Sequence, residues 1–327
     1  MYNKLLERQL KRYLKTTDPD SNPELVQLLN AISEAYTHSD EDRILLERSL
    51  EISSAELTET NKILQDVYKT IDAKNQDLIA SLEYARLVQS SLLASEGALR
   101  NIFPNGFVFN QPKDIVSGDF FWVYQKGIRT FLAAVDCTGH GVPGAFMSVI
   151  SSRFLTQAVR DEELDDTSEI LGFLNFEIKA LLSNHSETDN TQNALDISLV
   201  AIDSSKKHLE FSGLGQKALL CKREEIIELK GDNYHVGQNL DTEKVKISTK
   251  EMEFESKDRL YLFSDGLQDQ FGGPESRKFG SKGLKNLVYS LSHQNWSTQK
   301  NLVEKAFIDW KNGFDQVDDT LFVGIEL

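Results

Sequence analysis

The stretch Phe131-Leu132-Ala133-Ala134-Val135-Asp136-Cys137-Thr138-Gly139-His140-Gly141-Val142-Pro143-Gly144-Ala145-Phe146 reads as strand, turn and helix in succession. The unbroken apolar run Phe131–Val135 predicts a buried strand. It delivers one carboxylate, Asp136, onto a glycine-rich turn, and Pro143 sits where proline commonly opens a helix. An acid at a strand end, beside glycines that admit close approach, suits a metal ion or a phosphate. The plain alternative is a strand–turn–helix with a solvated aspartate, because Gly-x-Gly patterns are common.

Three further segments tilt the reading toward chemistry. Ser117-Gly118-Asp119-Phe120-Phe121 sets an acid just ahead of an aromatic strand. Leu260-Tyr261-Leu262-Phe263-Ser264-Asp265-Gly266 is again an apolar strand ending in Asp-Gly, and Val317-Asp318-Asp319-Thr320 runs into the closing strand Leu321-Phe322-Val323-Gly324-Ile325. Any one of these acids is explained by the turn preference of Asp. Together, in a chain with no Cys/His ligand cluster, they point to a hard-cation site built from oxygens.

From Phe107 to Leu327 the chain resembles the SpoIIE/RsbU-like branch of the PP2C (PPM) metal-dependent serine/threonine phosphatases. The resemblance is carried, in order, by Pro112-Lys113-Asp114-Ile115-Val116-Ser117-Gly118-Asp119-Phe120, the Asp136–Ala145 turn, Phe263-Ser264-Asp265-Gly266 and Asp318-Asp319. The preceding segment, Tyr84 to Leu93, is similar to the helical lead-in of such enzymes. The resemblance implies an α+β fold, an αββα sandwich of two antiparallel sheets flanked by helices. It implies hydrolysis of phosphoserine or phosphothreonine with two divalent cations, Mn²⁺ or Mg²⁺. Asp136 is then the bridging ligand, with Asp119, Asp265, Asp318 and the backbone carbonyl of Cys137 completing the set; Asp319 is the alternative to Asp318. Asp136 and Asp119 would act in catalysis through metal-bound water.

Phosphate monoesters hydrolyse very slowly unaided. Paired dications lower the pKa of a bound water and offset charge on the phosphoryl oxygens during in-line displacement. Gly118, Gly139, Gly141 and Gly266 are read as allowing close approach of backbone to cofactor, with ordinary turn geometry as the alternative. His140 is weighed as a general acid against a helix-start or surface role. The eukaryotic PP2C pattern Asp-Gly-His-Gly places its histidine two residues after the acid, whereas here Thr138 holds that position. The same enzymes carry a phosphate-binding Arg five residues before the first acid; here Asp114 stands there, and Lys113 is the substrate-binding candidate. Asp196, at the start of a strand, is read as a strand-edge residue, with a looser third cation as the other option. Cys137 is taken as packed rather than redox-active.

The chain has 327 residues and a net charge of −15, which argues against nucleic-acid binding and against anionic membranes. Its two cysteines form no disulfide framework, and no apolar run reaches membrane-spanning length, so a cytoplasmic protein without membrane insertion is expected.

Ahead of the phosphatase-like region (104–327), residues 1–38 predict a short helical module broken at Asp18-Pro19-Asp20-Ser21-Asn22-Pro23. Between Glu41 and Ser95 there is no Pro or Gly, and Leu50, Leu57, Leu64, Ile71, Leu78, Ala85 and Leu92 recur every seven residues. Ser54, Asn61, Tyr68, Asn75, Leu82 and Gln89 form a second, mostly polar seam. This predicts a weak parallel coiled coil over 41–96, its asparagines fixing register in a homodimer. A long helix lying on the domain's own surface is the alternative. Such a coil would connect an upstream signalling partner to the catalytic domain by pushing on helices Pro143–Val159 and Thr167–Leu182. The phosphorylated substrate implied by the family is often a small anti-sigma-factor antagonist. Gly97 and Pro104 are read as linker and boundary.

Two other readings compete. A GHKL histidine kinase would also pair a coiled coil with a glycine-rich acid motif. However, 41–96 contains no histidine, and the motif has one residue too many. A phosphatase fold that serves as an inactive scaffold would bind partners without turnover.

Overall fold

The computed structural model describes residues 1–14, 22–139, 141–183, 195–223, 225–237 and 246–327. His140 and the chain breaker from Asp18 to Ser21 lie outside the described residues. The chain divides into two compact units, Met1–Leu78 and Ile79–Leu327.

In the first unit, α1 (Lys4–Tyr13) is capped by Asn3, whose side chain accepts from the Leu5 N–H. It packs on the start of the long helix α2 (Pro23–Leu92), burying Leu6 and Leu29. The Asn3 N–H donates to Ser33 Oγ at 2.7 Å, and Tyr36 to Gln9 at 3.2 Å. The heptad leucines further along are exposed, Leu57 by 63% and Leu64 by 52%.

The second unit holds the last turns of α2 and an αββα sandwich. One five-stranded antiparallel sheet runs β1 (Gly106–Gln111), β12 (Thr320–Glu326), β9 (Arg259–Phe263), β6 (Lys217–Lys222), β7 (Glu225–Lys230). The other runs β2 (Phe120–Lys126), β3 (Arg129–Cys137), β4 (Leu195–Asp203), β5 (His208–Leu214), β8 (Lys250–Glu253). Alternation of side chains across each strand divides the core into three layers. Leu132, Ala134, Val200 and Ile202 meet Leu260, Leu262, Leu321 and Val323 between the sheets. Phe131, Ala133 and Val135 face α4 (Val142–Arg160) and α5 (Thr167–Ser183) on one outer side. Phe107, Tyr261 and Phe322 face α7 (Gly280–Ser292) and α8 (Trp296–Lys311) on the other.

The structure adds elements that periodicity does not predict. Strand β8 is Lys-Glu-Met-Glu, charged but for Met252, which packs against the core between the sheets while the strand pairs with β5; charge suits an edge strand. Short pieces α6 (Gly266–Asp269), β10 (Phe271–Gly272) and β11 (Arg277–Lys278) follow β9. Gly97, read as a linker, lies inside α3 (Glu96–Ile102). Ser95 caps that helix at the Ala98 N–H, an Arg100–Glu96 pair supports it, and Leu99 is fully buried, which together outweigh one glycine.

Candidate metal centre

The inward-facing residues of several strands run on beyond the apolar core into acids at one end of the sandwich. On β3 the series Leu132, Ala134 continues to Asp136; on β4, Val200 and Ser198 lead back to Asp196, which pairs directly with Asp136. Asp119 precedes β2, Asp265 follows β9, and Asp318 and Asp319 precede β12. The sequence separates these residues widely, but the sandwich returns their strands to the same edge.

Asp119 is only 2% exposed, and its Oδ2 is enclosed with no hydrogen-bond partner among the described residues. Burial pushes its carboxyl well above the usual range, reinforced by the charges of Asp319, Asp318 and Asp265 and partly countered by the Ser264 hydroxyl. Burial likewise raises Asp136, with Asp119, Asp265, Asp196 and Asp318 adding repulsion. Asp265, at the exposed rim, is pushed up to about 6 by desolvation and then by Asp269, Asp318 and Asp196, while a hydrogen bond to Asp136 acts the other way. Among the described residues no three such groups have closed to metal-holding distance. A set of hard oxygens with one enclosed, unpartnered carboxylate atom fits Mg²⁺ or Mn²⁺.

The backbone around the acids is equally specific. A Cβ on Gly118 would stand 2.8 Å from the Cys137 carbonyl oxygen, so this glycine lets the Asp119 turn press against the Asp136 turn. Gly266 makes a similar approach, its Cβ position falling 1.9 Å from the Asp319 carbonyl oxygen. Gly139 (φ 91°) and Gly141 (φ 74°) take left-handed backbone. Gly144, not singled out from the sequence, is packed as closely, with a Cβ position 2.1 Å from the Gly139 carbonyl.

Asp318 and Asp319 have different roles in this geometry. Asp319 is 3% exposed and accepts the backbone N–H groups of Lys113 at 2.7 Å and Gly118 at 2.6 Å. It therefore ties the 113–118 loop to β12. Asp318 accepts the Asp319 N–H at 2.9 Å and raises the pKa of Asp119, Asp136 and Asp265. Lys113 is attached through its backbone N–H. The Cys137 thiol is fully enclosed, and burial beside Asp136 and Asp119 pushes it well up, leaving it protonated and unreactive.

Three contacts carried no sequence signal. His235 Nδ1 meets Asp196 Oδ1, engaging that carboxylate. Ser264 supports Asp119 and accepts the Leu321 N–H at 2.9 Å. Gln89, at a heptad position near the end of α2, is 8% exposed and points into the domain. Its Nε2 donates to the Ser117 carbonyl at 2.6 Å and to Ser148 Oγ at 2.8 Å, and its Oε1 accepts the Ser117 N–H at 3.4 Å. Ser117 Oγ in turn accepts the Asp119 N–H at 3.0 Å, and Ser148 donates to the Ala145 carbonyl at 2.8 Å on α4. One side chain thus joins the helix end, the Asp119 turn and α4. A mostly polar seam in a heptad pattern does not distinguish such a residue from a solvated one.

The layers and the acid-lined edge define a PP2C-type phosphatase domain. Residues 126–327 match the family described as Stage II sporulation protein E (SpoIIE), and the chain belongs to that family. Among solved structures, the SiaA-PP2C domain of Pseudomonas aeruginosa is similar with a TM-score of 0.71 and 25% identity, covering 78% of this chain and 99% of that one. The PP2C domain with a regulatory-domain fragment of SpoIIE from Bacillus subtilis gives 0.55 and 17%, over 67% of this chain and 62% of that. The RsbU and RsbW domains of Rv1364c from Mycobacterium tuberculosis give 0.53 and 15%, over 68% and 60%. Comparison with curated protein sequences gives no match. Among the described residues no helix is long and apolar enough to cross a membrane.

Proposed function

We propose that this chain is a divalent-metal-dependent protein serine/threonine phosphatase of bacterial signalling, acting on a phosphorylated protein such as a small anti-sigma-factor antagonist. The observation that carries the reading is the convergence of Asp119, Asp136, Asp265 and Asp318 on one sandwich edge, with Asp119 Oδ2 enclosed and unpartnered. Asp136, with Asp119, Asp265, Asp318 and the Cys137 carbonyl, would hold the cations. Two divalent cations, when bound, supply an activated water nucleophile and compensate charge on the phosphoryl group. The protein's own part is positional. Asp319 fixes the Asp119 turn, Ser264 orients Asp119, and Gly118 and Gly266 bring the turns together.

Control enters through α2. Its exposed heptad leucines form the seam of a parallel homodimer. Toward its end the same face carries Gln89, which holds the Asp119 turn and α4 together. Pairing or register changes set by an upstream partner would shift that contact and with it the ligand geometry.

The test is hydrolysis of an aryl phosphate and a phosphoserine peptide with EDTA, Mg²⁺ or Mn²⁺, for wild type and Asp136→Asn in parallel. Metal-dependent turnover that disappears in the variant is expected. Absence of turnover with Mn²⁺ binding lost in the variant would mean an idle enzyme; absence of both turnover and binding would leave a scaffold. The Asp114 carboxylate, where eukaryotic PP2C enzymes carry a phosphate-binding Arg, is what keeps the scaffold as the second reading.

A further inference from the structure

Helix α1 has a face that its packing leaves open. At about 100° per residue, Lys11, Lys4, Arg8, Arg12 and Leu5 follow one another around the helix within a sector of about 120°. All five are exposed. The other side is committed to α2: Leu6 is buried, the Asn3 N–H donates to Ser33 Oγ, and the Tyr36 hydroxyl donates to Gln9. We propose that the open face of α1 binds an anionic lipid surface, lying on the headgroups without crossing the bilayer. This partner goes beyond the phosphatase reading and does not depend on it.

Charge distribution is the first argument. From Lys4 to Leu14 the chain carries Lys4, Arg8, Lys11 and Arg12 against one acid, Glu7, in a protein whose net charge is −15. That net charge is an average over the whole chain. A charged surface acts on what lies within a Debye length, about 8 Å at physiological ionic strength. The sign of α1 therefore decides what α1 meets, and it is opposite to that of the rest of the protein.

The cations are also uncommitted. Among the described residues none of the four meets a carboxylate, and the Arg12 guanidinium lies 5.5 Å from the centre of the Tyr13 ring. The nearest acid of α2 that touches α1, Asp40, accepts from the Asn3 side-chain amide at 3.2 Å and pairs with Arg43 at 3.4 Å. Nothing in the first unit neutralises the sector from within.

Shape and composition select lipid over other anions. The sector is the convex side of a single helix, and a plane of headgroup phosphates meets all its cations at once. Leu5, 50% exposed at the edge of the sector, adds an aliphatic side chain that the boundary between headgroups and acyl chains accepts and a sugar–phosphate backbone does not. The sector holds no aromatic ring on which an unpaired base would stack.

The test is flotation of the full chain with vesicles of phosphatidylcholine alone or mixed with phosphatidylglycerol, at low and high NaCl. Binding to the mixed vesicles only, released by high salt, is expected. Lys4→Gln with Arg8→Gln spares the basic residues of the last turn and should weaken that binding about 30-fold, at about fivefold per cation. Lys4→Arg with Arg8→Lys keeps both charges and should bind as wild type does. Circular dichroism and thermal unfolding check that both variants fold. Failure to bind the mixed vesicles, equal binding to phosphatidylcholine alone, or unchanged binding after the two Gln substitutions would each overturn the proposal. So would a charge-retaining variant that binds as poorly as the Gln pair. Loss of duplex DNA binding or of self-association in the Gln pair, without vesicle binding in wild type, would assign the face to nucleic acid or to a second copy instead.

Discussion

Replacing Gln89 by Ala removes a side chain that joins the end of α2 to both the Asp119 turn and α4. Its amide makes two short donor contacts, 2.6 Å to the Ser117 carbonyl and 2.8 Å to Ser148 Oγ, and accepts more weakly from the Ser117 N–H at 3.4 Å. Ser148 keeps its bond to the Ala145 carbonyl, so the groups left exposed to the loss are those of Ser117, which is 5% exposed. An orphaned buried polar group costs about 1–3 kcal/mol, so the truncation should cost about 2–6 kcal/mol once both Ser117 groups are counted. In a unit of this size, at about 2–4 °C per kcal/mol, that corresponds to a fall in Tm of about 4–24 °C. The functional consequence is the sharper test. Ser117 Oγ holds the Asp119 N–H at 3.0 Å, so a loosened Ser117 releases the proposed ligand Asp119. Coupling between sites is commonly worth about 5- to 150-fold in affinity, and Mn²⁺ binding by calorimetry should weaken within that range. Gln89→Met, which keeps volume but cannot donate, should weaken Mn²⁺ binding with a smaller loss of stability. A Gln89→Ala protein that melts earlier yet binds Mn²⁺ with wild-type affinity would refute the coupling. One with unchanged Tm would refute the buried contact itself.

Asp319→Ala should lower stability measurably in urea titrations, because two backbone donors lose their acceptor, whereas Asp318→Asn should leave stability intact and weaken Mn²⁺ binding; the reverse pattern would exchange the two roles. The metal-free protein should become less stable as pH rises. Asp265 is raised from 3.8 to about 6 in the fold, so its contribution is full below pH 3.8 and lost as pH climbs through about 6, with Asp119 and Asp136 extending the loss upward. Measured in EDTA, the Tm of Asp136→Asn should gain on that of wild type with increasing pH, and saturating Mn²⁺ should abolish the gain. Cys137 should resist iodoacetamide at pH 8 in the native protein and react after unfolding. Leu57→Glu with Leu64→Glu should convert a dimer to a monomer in sedimentation, since both leucines are exposed on the predicted seam.

By itself the sequence determined the main strands and helices of the phosphatase-fold unit, because apolar runs such as Phe131–Val135 and Leu260–Phe263 are local signals of burial. It also determined which acids stand at strand ends, since Asp119, Asp136, Asp265 and Asp318-Asp319 each adjoin such a run. Only the tertiary structure decided what those acids meet. Asp196 faces Asp136 because β4 pairs with β3 in one particular register, and shifting that register by one residue would turn it to the outer face. Asp319 ties down the loop of Lys113 and Gly118, and Gly144 packs on Gly139, through approaches between segments distant or folded back in the chain. Strand β8, Lys-Glu-Met-Glu, has one apolar residue, and its place depends on pairing with β5 and on Met252 reaching the core between the sheets. Gln89 shows the limit most clearly. As a residue of the heptad pattern it is one polar position among several, and its meaning depends on the two serines, 28 and 59 residues away, that the fold brings to it. Hydrophobic patterning is written residue by residue along the chain, whereas a polar contact between distant segments is fixed only once packing has placed both partners.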